Sequence, residues 1–226
     1  MEVFSTGFLP ALAAIIIIDL VLAGDNAIVI ALAARNLPPN LRTKAIVWGT
    51  VGAIVVRTVL TLAVVWLLKV PGLMLAGGLM LLWIAYRLLT AQGADANHVS
   101  PAASFLGAMQ TIVVADAVMG LDNVLAVAGA ANGNWVLVVC GLLISVPIVI
   151  WGSTLILKWV ERFPSIIYVG GAVLAWTSAK MAIGEPFVQE WLGNRVTWPI
   201  YVVFVVGTLS LALISNRRRL STAQNI

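Results

Sequence analysis

The sequence predicts an all-α polytopic membrane protein with seven transmembrane helices, built as a 3+3 inverted-topology repeat plus one C-terminal helix. Three observations predict it. Of 226 residues, 62% are hydrophobic and 10% charged, with a mean hydropathy of +1.05, whereas a soluble domain carries about 25% charged residues. The apolar residues fall in continuous runs, close to the ~20 that cross a bilayer as a helix, without the period-two alternation of a membrane barrel. Finally, Asp19…Gly24-Asp25-Asn26 returns as Asp116…Gly120-Leu121-Asp122-Asn123, shifted by 97 residues.

The runs lie at about 8–34, 45–68, 72–90, 102–131, 135–158, 164–184 and 198–215. Polar and proline-rich stretches punctuate them: 36–40, Pro71-Gly72, a loop at 92–101, a tight turn at 131–134, Glu161 to Pro164, and the longest polar stretch from Glu185-Pro186 to Trp198-Pro199. The chain reads as a single membrane domain, 1–226, with no cleavable signal peptide. Its first repeat is about 8–90, its second about 102–184, and the extra helix about 198–215. Pro71, Gly77-Gly78, Trp83 and Arg87 match Pro164, Gly170-Gly171, Trp176 and Lys180 at a constant shift of 93. Three helices per copy force the second copy into the membrane upside down, which is the plan of secondary transporters with a midplane site.

Lys and Arg set the expected orientation. With the N-terminus on one side, the opposite side receives nine of them: Arg35, Arg42, Lys44, Arg87, Lys158, Arg162 and Arg217 to Arg219. The N-terminal side receives Lys69, Lys180 and Arg195. The basic side is the cytoplasmic one, so the N-terminus is expected outside and the C-terminus inside. Trp48, Trp66, Trp135, Trp159, Trp191 and Trp198 stand at segment ends, as interfacial anchors do.

The acids carry the chemistry. Asp19, Asp25, Asp116 and Asp122 lie near the middle of segments 1 and 4. Each costs about 2.5–3.5 kcal/mol at a helix centre, and four cost about 10–14 kcal/mol without compensation. A proton, a salt bridge, water or a cation must compensate them. Gly24 and Gly120 could let the helices unwind locally, turning Asp25 and Asp122 to one centre and freeing carbonyls as ligands. With Asn26 and Asn123, such a cage offers the oxygen ligands that suit Mg, Ca and Mn. Cys140, the lone cysteine, lies inside an apolar run, which excludes disulfides and Cys-based metal sites.

Arg57 is the other intramembrane ion, a counter-ion to an Asp or a group that keeps an empty site neutral. Its region in the second copy, Gly141 to Pro147, holds Ser145 and a proline but no arginine. Thr58, Thr111 and Ser145 are possible polar lining. No nucleophile–base pair or cofactor motif is legible, so no enzyme activity and no cofactor are expected, and nothing suggests nucleic-acid binding.

On the doubled Asp-Asn motif, Arg57 and the repeated Gly-Gly…Trp pattern, the whole chain resembles the TerC family of bacterial integral membrane proteins in its short, single-domain form. It is similar in plan to the lysine-exporter superfamily. The resemblance implies export of manganese(II) from the cytoplasm across the bacterial inner membrane, with Asp19, Asp25, Asn26, Asp116, Asp122 and Asn123 as the metal path. Partners are then the metal ion and the lipid bilayer, with a homo-oligomer left open. Alternatives are transport of calcium, a tellurium oxyanion or an amino acid, and a non-transport scaffold or proton-relay subunit.

Overall fold

The computed structural model of the protein describes residues 8–67, 70–90, 101–131, 134–192 and 197–223. Among them the chain is all helical, with no strand: α1 (Phe8–Ala34), α2 (Pro39–Leu62), α3 (Val64–Leu67), α4 (Leu73–Thr90), α5 (Pro101–Ala131), α6 (Trp135–Arg162), α7 (Ile166–Gly184), α8 (Pro186–Leu192) and α9 (Trp198–Ala223). The loop at 92–101, the centre of the turn at 131–134, Lys69 and Arg195 fall outside the described residues, save that Pro101 opens α5.

Five described helices, α2, α4, α6, α7 and α9, are long and apolar enough to span a bilayer. A sixth is added if α1 is one span, because its halves Phe8–Leu20 and Gly24–Ala34 meet at 48°. In α5 the stretch Phe105–Leu121 is apolar but shorter.

Helix boundaries follow local chemistry. Segment 2 begins earlier than expected, at Pro39, because proline is preorganised for the first helical turn and Arg42 and Lys44 can reach back to the interface. It ends at Leu62, and the one-turn α3 completes the run. The polar stretch after Glu185 contains a helix that hydropathy did not reveal. There Pro186 starts α8, and Glu185 O accepts from the N–H groups of Val188 and Gln189.

Three helix pairs organise the bundle: α1 on α6, α2 on α5, and α4 on α7, with α1 also against α5 and α9 covering α7 and α4. Backbones come close where glycine faces a neighbour. A Cβ on Gly141 would meet Ile15, one on Gly49 would meet Ile112, and one on Gly78 would lie 2.7 Å from the backbone O of Ser178. The Ser178 hydroxyl closes that last contact by donating to Gly78 O. Trp176 of α7 stacks on Tyr201 of α9 with centroids 4.3 Å apart.

Exterior and interior are inverted relative to a soluble protein. All six end-of-segment tryptophans are exposed, as are Val55, Val59, Trp151, Val203 and Leu211. Asp19, Asn26, Thr50, Arg57 and Asp116 are buried. Buried Glu185 seals the start of α4, its carboxylate accepting from the N–H groups of Gly72 (2.7 Å), Met74 (3.0 Å) and Leu75 (3.4 Å). The turn before α4 requires Gly72, whose φ is +81°.

Gly78→Ala pushes a methyl into backbone and is expected to destabilise the protein by about 1–3 kcal/mol. Gly207→Ala, where a Cβ meets nothing within 4 Å, is expected to be neutral or stabilising by up to ~1 kcal/mol. Thermal unfolding in one detergent compares the two.

Candidate functional site

Three ionisable side chains from three helices converge in the bundle interior. Asp19 lies just before the bend of α1, Arg57 late in α2, and Asp116 midway along α5. Arg57 Nε donates to Asp116 Oδ2 at 3.2 Å, and Arg57 Nη2 donates to Asp116 Oδ1. Nη1 donates to Asp19 Oδ1. The planar guanidinium thus makes a bidentate pair with one carboxylate and a single bond to the other, the fork geometry a lysine lacks. All three are at most 8% exposed.

Local packing sets this geometry. Gly49 and Gly52 bring α2 close to Ile112 and Val113 of α5, one turn from Asp116. Side chains on a helix lean towards its N-terminus, so Arg57 extends along α2 back to the level of Asp116. A Cβ on Gly120 would touch Arg57 Cγ and Nε at 3.8 Å, an ordinary contact. One cation faces two carboxylates, so the cluster keeps either a negative charge or a proton. It can therefore attract a further cation without leaving Asp19 or Asp116 bare.

The Asp25-Asn26 pair divides between two faces. Asp25 is half-buried and looks to α7, where Thr177 Oγ1 donates to its Oδ2 at 3.3 Å. Its Oδ1 accepts from the N–H of Asn26 at 3.0 Å. It lies just past the bend of α1. Asn26 is buried, and its Oδ1 finds no partner among the described residues.

The second copy is described only in part. Asp122 lies in helical backbone, but its side chain falls outside the described residues, while Asn123 is half-buried. At Gly24 the helix bends; at Gly120, α5 runs on as helix. Among the described residues no three His, Cys, Asp or Glu side chains group as a metal cluster. An incoming cation would have to draw on neutral oxygens as well as carboxylates.

Of the expected polar lining, Thr111 and Ser145 donate to carbonyls of their own helices, Gly107 O and Leu142 O, and Thr58 is half-buried. Thr177 is the residue that sequence reasoning missed. Its one signal was an adjacent Thr-Ser pair, Thr177-Ser178, inside an apolar run; both hydroxyls reach across to other helices.

A bundle of apolar-faced helices with buried acids from two helices on one arginine defines a polytopic integral membrane protein. The pattern of the integral membrane protein TerC family matches residues 4–220, and the chain belongs to that family. It is 48% identical over 190 residues to the uncharacterized membrane protein YjbE of Bacillus subtilis, covering 84% of this chain and 87% of that one. It is 28% identical to the UPF0053 protein YegH of Escherichia coli, over 94% of this chain but 44% of the longer relative. The UPF0053 inner membrane protein YgdQ of Escherichia coli is 27% identical, over 69% of this chain and 73% of its own. No solved structure matches.

Removing Arg57 leaves two buried carboxylates without their cation, so Arg57→Met is expected to cost about 3–5 kcal/mol. Replacing all three partners by apolar residues of similar volume (Asp19→Leu, Arg57→Met, Asp116→Leu) is expected to recover most of that stability while abolishing function. Unfolding midpoints of the purified variants report both.

Proposed function

We propose that the protein is a transporter that exports manganese(II) from the cytoplasm by alternating access through a site at the membrane midplane. The single observation that carries the reading is the burial of Asp19 and Asp116, one from each proposed repeat, on a single arginine. Acids held at that cost in an apolar bundle mark ion pathways. In this reading Arg57 is the counter-ion that holds the empty site, and Asp25, Asn26, Asp122 and Asn123 meet the metal. The oxygen ligands suit any hard divalent cation; manganese is favoured by family resemblance. The metal is cargo, and the reading requires no cofactor and no enzymatic step.

The architecture we propose is seven spans, with three-helix repeats of opposite topology and α9 outside them. Matched contacts support it. Ile15 and Ile112, related by the 97-residue shift, meet Gly141 and Gly49 respectively, so α1 lies on α6 as α5 lies on α2. In this register Arg57 falls opposite Val149, and the second copy has no arginine at that position. We further propose a bacterial inner-membrane location, with the basic ends of the helices cytoplasmic and the N-terminus outside.

Uptake of manganese(II) into inside-out vesicles tests the function. Asp25→Asn and Asp122→Asn are expected to cut the rate at least tenfold at unchanged protein level. Wild-type rates in both variants would remove them from the metal path.

A further inference from the structure

Four buried polar atoms have no partner among the described residues: Asn26 Oδ1, Arg35 Nη1, Thr50 Oγ1 and Asn216 Oδ1. Native interiors leave few polar groups unsatisfied. Arg35 and Asn216 are anchored through Nη2 and Nδ2, which donate to Leu88 O at 2.7 Å and Leu89 O at 3.2 Å respectively. They cap the end of α4 near the basic side, which explains their burial. Asn26 and Thr50 sit deeper, each 3% exposed.

Thr50 carries the one side-chain hydroxyl that is fully buried and without a partner among the described residues. Thr61, Thr90, Thr111, Thr154, Thr208, Ser145 and Ser153 each donate to a carbonyl three or four residues back in their own helix. That bond is the easy refuge for a hydroxyl in an apolar helix. Thr50 forgoes it.

Helix register brings Asn26 and Thr50 to one level. Ile30 of α1, Ile46 of α2 and Ile112 of α5 share one apolar cluster. Farther from the basic end, Asp19 of α1, Arg57 of α2 and Asp116 of α5 form the ionic cluster. The two helices run antiparallel, so Asn26 lies one turn above Ile30 and Thr50 one turn above Ile46, on the same faces. The neutral oxygens therefore occupy the layer between the apolar cluster and the charged one.

We infer that Asn26 and Thr50 form a cation position of their own, on the basic-end side of the Asp19–Arg57–Asp116 cluster. The ligand is a hard divalent cation that keeps part of its water shell and exchanges the rest for the Asn26 carbonyl and the Thr50 hydroxyl. Neutral oxygens hold such an ion firmly enough to admit it and weakly enough to pass it on. The carboxylates beyond then take it up as it leaves. The inference rests on the transport reading.

The test measures uptake of manganese(II) chloride into inside-out vesicles, beside unfolding temperature without metal. Thr50→Val keeps the shape and removes the hydroxyl. It is expected to raise KM at least tenfold while leaving the unfolding temperature equal to or above wild type, because an unsatisfied buried group is gone. Thr50→Ser restores the hydroxyl and is expected to recover most of the lost affinity. If wild type transports, Asp25→Asn does not, and Thr50→Val keeps the wild-type KM, the inference alone is overturned. A Thr50→Val variant that loses stability and uptake together, with Thr50→Ser no better, also overturns it by making Thr50 a packing residue. Wild-type vesicles that take up no manganese overturn the transport reading and this inference with it.

Discussion

The bundle depends on one arginine shared by two carboxylates in a place where none of the three is stable alone. Asp19 and Asp116 come from helices that start on opposite sides of the proposed membrane, and Arg57 comes from a third. Each charge is too expensive to bury singly, so the three helices must meet at that level. The neighbouring apolar contacts have no such stringency, because one methyl group can replace another at small cost. The ionic cluster therefore selects one register of α1, α2 and α5, and the close approach of Gly49 and Gly52 to α5 is what lets that register form.

The α4–α7 pair is held differently. Close backbone approach at Gly78, the Ser178 hydroxyl on Gly78 O, and the Glu185 carboxylate over the first turn of α4 tie these helices together. Hydrogen bonds to bare backbone groups are well suited to an environment without water. Beside this pair, α1 presents Asp25 to Thr177 while its other face carries Asp19 to Arg57. One bent helix thus touches both parts of the bundle. Its 48° bend lies between the two acids, so a change at the bend would move one acid relative to the other.

Most helices were legible as runs of apolar residues because a bilayer demands length and hydropathy of any segment that crosses it. The ends were less so. Segment 2 started six residues early because proline and basic residues belong to the helix without being apolar. The short α8 escaped because seven residues bracketed by polar ones leave no hydropathy signal. Asp19, Asp25, Asp116 and Arg57 stood out in the sequence because charge is rare in such runs. Thr177 and Glu185 did not: a hydroxyl in an apolar helix usually bonds to its own backbone, and a glutamate beside a proline looks like any loop residue.

The sequence by itself determined the class: the apolar runs, their polar breaks and the doubled acidic motif follow from local composition, which hydrocarbon reads residue by residue. Pairing was a different matter, since four acids and one arginine allow several partners. Only the tertiary structure decided that Asp19 and Asp116 share Arg57, that Asp25 turns instead to Thr177, and that buried Asn26 Oδ1 and Thr50 Oγ1 find no partner among the described residues. The physical reason is that a helix presents residues six or seven apart to faces set by its bend, and that bend depends on what packs against it.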